Sequence, residues 1–218
     1  MSKLESSIVN TIGRTVPTTV NGKPVVPYKG IGKHRPEGKK FGPRISSCID
    51  FPANGDKRVP SLKDALIKAG LKDGMTISTH HHFRNGDLIA IQIFDIAFEM
   101  GIRNLVWFPS ASFECHAPLI KHLENGTIHR IEGSMNGQLG RFVSTGKMKG
   151  TGVLRSHGGR YQAVQDGEVE IDIAVIAAPS ADFFGNANGV EGSAACGLLG
   201  FALVDSQYAD KVVVVTDN

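Results

Sequence analysis

The chain has 218 residues, 41% of them hydrophobic and 21% charged, with a formal net charge of +3 at pH 7. That balance excludes low-complexity and collagen-like chains and suits a globular protein of one domain or a little more. Three scattered cysteines, Cys48, Cys115 and Cys196, with no Cys-x-x-Cys pair, argue against a disulfide framework or a thiolate zinc site and fit a reducing compartment.

Met1 is followed by polar residues, so no secretory leader is expected. The charge is uneven: residues 1–60 hold 11 Lys/Arg against 4 Asp/Glu, and the remainder holds 13 against 17. Gly and Pro punctuate residues 1–60 every few positions, from Gly13 and Pro17 to Pro52 and Gly55. This predicts an irregular, basic N-terminal arm that is either simply solvated or steers an acidic or phosphate-bearing partner. Nucleic acid fits less well, because few aromatics accompany the charge.

At residue 61 the pattern changes to an α/β alternation. Ser61-Leu-Lys-Asp64 is a capping-box variant ahead of Ala65, Leu66 and Ala69, with Gly70 as the stop. Residues 75–79 read as a strand. Residues 88–100 read as a buried helix closed by Gly101; Gln92, Asp95 and Glu99 make this stretch too polar and too short to span a bilayer. Residues 104–110 form a second buried strand, 118–123 a short helix and 127–131 a strand. A helix over 159–165 and strands over 171–178 and 211–216 complete the series. Apolar strands separated by helices predict an open, mostly parallel sheet covered on both faces over residues 61–218. A chain that ends just past an apolar strand suggests either an edge strand or an incomplete domain.

Three segments carry candidate chemistry. The run His80-His-His82-Phe-Arg84-Asn-Gly86-Asp87 follows a strand and precedes a helix, where ligands of open α/β sheets bind; Asp87 is also placed to cap that helix. His80 and His82 could instead share a metal, as in metal-dependent hydrolases, but His116, His122, His129 and His157 do not complete a ligand set at strand ends. The run of residues 150–160 combines paired glycines, including Gly158 and Gly159, with Arg155 and Arg160. It reads as an anion cradle or a plain glycine-rich turn. Asp182 and Asn186 follow a strand end and read, on physical grounds, as a structural turn. Cys115 beside His116 is not by itself a nucleophile–base pair.

Taken together, Gly32-Lys-His-Arg-Pro-Glu-Gly38, the run from Gly70 through the three histidines to Asp87, Arg155-Ser-His-Gly-Gly-Arg160, Ala178-Pro-Ser-Ala-Asp182 and Gly185-Asn-Ala-Asn-Gly189 resemble the citrate lyase alpha-chain family. The resemblance implies a CoA-transferase-like α/β domain. It implies exchange of an acetyl for a citryl group on a carrier thioester, with release of acetate, on the way from citrate to oxaloacetate and acetate. The thioester would sit on a CoA-like prosthetic group of a separate acyl carrier (gamma) chain or on acetyl-CoA, and a beta chain would perform the cleavage. A cytoplasmic, oligomeric complex with no membrane, no nucleic acid and no metal is expected. The residues so implied at the substrate and the CoA arm are His80, His81, His82, Arg84, Asn85, Gly86, Arg155, Gly158, Gly159, Asp182 and Asn186. In that family the chain is much longer and its nucleophilic glutamate lies in the second half. No catalytic nucleophile is therefore assigned, although Glu114, Glu132 and Glu191 are available. The other expectations are a non-catalytic fragment and a metal-dependent hydrolase using His80 and His82.

Overall fold

The structure is a computed structural model and describes residues 7–20, 23–25, 54–80 and 86–217. The chain divides into two compact units, Met1–Glu37 and Gly38–Asn218.

In the first unit, β1 (Ser7–Val9) pairs antiparallel with β2 (Thr15–Pro17), and β3 (Thr19–Val20) pairs with β4 (Lys23–Pro24). The β1–β2 turn is closed by Asn10, whose Oδ1 accepts the Ile12 and Arg14 amides at 3.1 and 2.9 Å. This Asx geometry closes the turn between the two short strands. Residues 54–60, read from sequence as part of the arm, belong to the second unit. There the Lys57 amide donates to the Phe183 carbonyl at 2.9 Å, and the Arg58 guanidinium lies 4.0 Å over the Phe183 ring.

The second unit opens with α1 (Leu62–Lys68). Ser61 caps it as the sequence predicts, its Oγ accepting the Asp64 amide at 3.1 Å. The chain then alternates through β5 (Thr76–Thr79), α2 (Ile89–Glu99), β6 (Leu105–Pro109), a 3-10 turn at Glu114–Leu119, α3 (Ile120–Glu124) and β7 (Ile128–Ile131). After α4 (Gly137–Ser144) and α5 (His157–Gln165) come β8 (Ile173–Ala177) and a small hairpin of β9 (Ser180–Ala181) and β10 (Ala187–Asn188). The last elements are α6 (Ala202–Tyr208) and β11 (Lys211–Val215). Helices α4 and α6 are additions to the sequence reading.

The main sheet has the order β11-β8-β5-β6-β7, and every pairing in it is parallel. The expectation of an open parallel α/β fold holds, with β11 as an edge strand. Alternate residues serve opposite faces. Trp107, Ile173 and Val175 enter one cluster with Phe94, Leu123 and Leu139, whereas Phe108 and Ala174 enter another with Val164 and Val204. Helices α1 to α4 therefore cover one face, and α5 and α6 the other. α2 shows which term prevails. Its four isoleucines are indifferent helix formers, each costing a few tenths of a kcal/mol, but burying Ile93 and Phe94 contributes about 1.5–3 kcal/mol apiece.

Three buried or largely buried histidines make structural contacts in the second unit. His116 Nδ1 accepts the Phe113 amide at 2.8 Å, so its proton is on Nε2, which donates to Asp87 Oδ2 at 2.9 Å. Asp87 Oδ1 in turn accepts the Ile89 amide at 3.0 Å, an Asx turn one residue ahead of the N-cap position, which Leu88 occupies without a side-chain cap. His122, in α3, reaches α2, its Nε2 2.7 Å from Asp95 Oδ1. Burial lowers its pKa below the usual histidine value, despite the Asp95 hydrogen bond. A histidine depressed in the folded state gives stability that is complete above about pH 6.5 and is lost as pH falls toward the folded pKa. The variant His122→Gln is expected to flatten the stability profile below about pH 6.5 in urea titrations. An unchanged slope there would assign the acid loss to other groups. The third histidine, His80, belongs to the candidate site.

Candidate functional site

Taken in sequence order the five strands lie 3-2-1-4-5, so the direction of winding reverses between β5 and β8. In open α/β sheets this reversal leaves a crevice beyond the carboxyl ends of those two strands. β5 ends at Thr79 and leads directly into His80, and β8 ends at Ala177 and leads into the β9–β10 hairpin that carries Asp182 and Asn186. Two of the three segments singled out from sequence thus leave the sheet at neighbouring strand ends. The third reaches the same rim, because α5 runs back against β8 and its first residues, His157, Gly158 and Gly159, lie at its N-terminal end.

His80 is 4% exposed and turned inward. Its Nε2 lies 3.1 Å from Asp205 Oδ2, and the Ser78 hydroxyl also donates to that oxygen. Arg160 grips the same carboxylate from the other side, Nη1 to Oδ1 at 2.9 Å and Nη2 to Oδ2 at 2.7 Å. Arg160 Nη2 reaches the Phe108 carbonyl at 3.1 Å, and its guanidinium stacks 4.0 Å over the Phe108 ring. Burial pushes the Asp205 carboxyl up, but the hydrogen bonds from His80 and Arg160 and the attraction of the guanidinium outweigh this and hold it down at about 2. Asp205 is therefore ionised at neutral pH.

Arg155, expected at an anion, is already neutralised. Its Nε and Nη2 approach Glu132 Oε1 at 2.7 and 2.6 Å, and Nη2 is 2.9 Å from Glu168 Oε1. Glu132 is buried at the end of β7, and its second oxygen takes Arg130 Nη1 at 2.6 Å. Arg155 thus serves as a strut between the end of β7 and the residues after α5. Arg155 and Arg160 are thus both held by carboxylates of this chain.

The turn at Asp182 closes on itself. Asp182 Oδ1 accepts the Phe184 and Asn186 amides, both at 2.9 Å, and Oδ2 accepts Asn186 Nδ2 at 2.8 Å. The hydrogen bond from Asn186 keeps the Asp182 carboxyl below its ordinary pKa. This is the structural turn that the residue types predict, placed at the crevice. Gly192 packs beneath it: at φ +94°, a Cβ there would come 2.3 Å from the Pro179 carbonyl oxygen, so only glycine fits. Gly158 opens on space, and Gly159 donates to Ser156 Oγ at 3.0 Å in the first turn of α5. The pair therefore forms a helix start. Gly86 is exposed just before Asp87. His81, His82, Arg84 and Asn85 lie outside the described residues.

One arrangement that could be taken for a catalytic one has a structural explanation. Cys115 Sγ, His116 and Asp87 are in line, with Sγ 3.6 Å from Nδ1, but that nitrogen already accepts the Phe113 amide. Burial raises the thiol pKa, and the Asp87 charge raises it further. Among the described residues no group of three or more His, Cys, Asp or Glu side chains is placed to hold a metal ion. A shallow groove of about 690 Å³ runs along α4, lined by Met135, Asn136, Gly140 and Arg141 among others, and no member of the clusters above lines it. Among the described residues no helix is long and apolar enough to cross a membrane.

Asp205 is the residue that sequence reasoning missed. It lies 45 residues from Arg160 and 127 from Ser78, on a seven-residue helix without a periodic apolar face.

Comparison with known proteins adds a family to this geometry. Residues 55–218 match the family described as citrate lyase, alpha subunit. The citrate lyase alpha chain of Haemophilus influenzae is 41% identical over 174 residues, 79% of this chain and 35% of its own. The Escherichia coli alpha chain is 43% identical over 167 residues, covering 76% and 33%. The chain thus spans about a third of the length of the curated relatives it matches. A crystal structure of the alpha subunit of citrate lyase from Streptococcus mutans, in complex with citrate, superposes with a TM-score of 0.79 at 40% identity. The match covers 85% of this chain and 36% of that one.

Proposed function

This chain belongs to the citrate lyase alpha-subunit family, and from that premise we propose that it supplies one half of a site at which citrate displaces acetate from a carrier thioester. The carrying observation is the reversal of strand order between β5 and β8: two segments inside the stretch matched by that family, at His80 and at Asp182–Asn186, follow the ends of these adjacent parallel strands. The crystallised relative from Streptococcus mutans holds citrate, and a tricarboxylate suits a rim where strand ends and the start of α5 present backbone N–H groups. Exchange of one carboxylate for another on a thioester is close to thermoneutral and needs no nucleotide. What this chain contributes is binding and orientation of citrate. The acyl carrier with its CoA-like group, the lyase chain and the attacking glutamate would come from other chains or from sequence beyond the part matched here. The assembly would work in the cytoplasm.

In the assembled enzyme, His81→Ala and Arg84→Ala are each expected to slow citryl-for-acetyl exchange on the carrier by on the order of tenfold or more, since displacement of a positioning group by about 1 Å can cost up to 100-fold. Exchange at the wild-type rate in both variants would sink the assignment of this rim.

A further inference from the structure

We propose that Asp205 and Arg160 are positioning residues for the substrate rim, acting through the inward-turned imidazole of His80. The inference rests on the reading of the β5–β8 crevice as the citrate site. Its own basis is the buried cluster beneath that crevice.

One carboxylate, fully buried on α6, receives the Ser78 hydroxyl, His80 Nε2 at 3.1 Å and both terminal nitrogens of Arg160 at 2.9 and 2.7 Å. Ser78, His80 and Arg160 are themselves at most 4% exposed. Such a cluster is a poor device for stability alone, because desolvating the charges costs about as much as their attraction returns, and apolar side chains of the same volume often serve as well. Apolar packing does not set direction, whereas a carboxylate with four donors in fixed places does. Because Asp205 is ionised, His80 must present a proton on Nε2, which fixes both the tautomer and the plane of the ring.

The cluster also joins the elements that frame the crevice. Ser78 is in β5 and His80 follows it, Arg160 is in α5, Asp205 is in α6, and the Phe108 carbonyl that Arg160 holds at 3.1 Å is in β6. Phe201, just ahead of α6, packs 5.0 Å from the Arg160 guanidinium and stacks on His157 at the start of α5. A change at Asp205 or Arg160 therefore reaches the end of β5 and the start of α5 together, without either residue touching the ligand.

The test uses the 218-residue chain with ring-nitrogen-labelled histidine, and citrate itself as the probe. In the wild type, the His80 Nε2 is expected to carry a proton that exchanges slowly with water. Asp205→Asn should speed that exchange by at least about tenfold, as local opening does for any buried N–H. Arg160→Lys keeps the charge but loses the two-pronged grip. Both variants should weaken citrate binding in calorimetry by roughly 10- to 100-fold, with far-UV circular dichroism unchanged. An unprotonated Nε2 in the wild type overturns the proposal, as does citrate affinity within about threefold of wild type in a folded Arg160→Lys chain. If the wild-type chain binds no citrate, the reading of the rim fails. The ring proton alone then decides the positioning role: faster exchange in Asp205→Asn supports it, and unchanged exchange overturns it.

Discussion

Replacing Arg160 with methionine is expected to destabilise the folded chain by about 3–5 kcal/mol, because it strands a buried carboxylate. The aliphatic part of the side chain can still pack on Phe108, so the loss comes from charge and hydrogen bonding. Asp205 would keep only His80 and Ser78 as donors, in a site with no access to water. The double variant Arg160→Met/Asp205→Asn removes both members of the pair while leaving an amide oxygen for His80. It should be more stable than Arg160→Met alone, the signature of a pair whose partners are worth more together than apart. Urea unfolding of the two variants and the wild type measures this. A single-variant loss below about 1 kcal/mol would mean that water or a rearranged side chain solvates Asp205.

The same carboxylate sets an acid limit. Its folded pKa of about 2 lies below the ordinary 3.8. A depressed carboxylate contributes stability that is complete above its unfolded pKa and is lost as pH falls through the folded one, here between about pH 4 and 2. His122 acts at milder pH for the opposite chemical reason, since it is burial that disfavours its charged form.

Most of the sheet was legible because its strands are short apolar runs bounded by glycine or polar residues. Val-Val-Val-Val at 212–215 and Ile-Ala-Val-Ile-Ala at 173–177 leave little alternative to buried parallel strands. Helix α4, with the sequence GQLGRFVS, was hidden by two glycines and by an inward face made only of Leu139 and Phe142. Helix α6 was too short for its period to register. The site was legible as places along the chain, since the ends of β5 and β8 and the start of α5 could all be marked in advance. Its pairings were not. Arg155 and Arg160 look alike as cationic side chains near glycines, but one ends between Glu132 and Glu168 and the other on Asp205. Those partners lie 13 to 45 residues away along the chain, and no local pattern marks which carboxylate meets which arginine.

Trp107 is where the core and the site meet, and its replacement carries the other large expected effect. It is the chain's one tryptophan and is fully buried in β6. Its ring meets Phe94 edge-on at 6.0 Å and His116 at 5.4 Å, and its Nε1 donates to Thr79 Oγ1 at 2.9 Å. Trp107→Ala should cost about 3–5 kcal/mol through the cavity left behind. Trp107→Phe keeps most of the ring but removes the donor to a buried hydroxyl, so about 1–3 kcal/mol is expected from the unsatisfied oxygen and the lost volume. Thr79 immediately precedes His80, so this hydrogen bond fixes the last residue of β5 before the chain leaves the sheet. If the bond carries the cost, Trp107→Phe and Thr79→Val will not add: the double variant should recover about 0.5 kcal/mol or more of the summed loss in urea unfolding followed by circular dichroism. Strict additivity would assign the whole effect of Trp107→Phe to packing, and would leave the end of β5 held by Asp205 and by the backbone bond from the Ser110 amide to the Thr79 carbonyl at 3.1 Å.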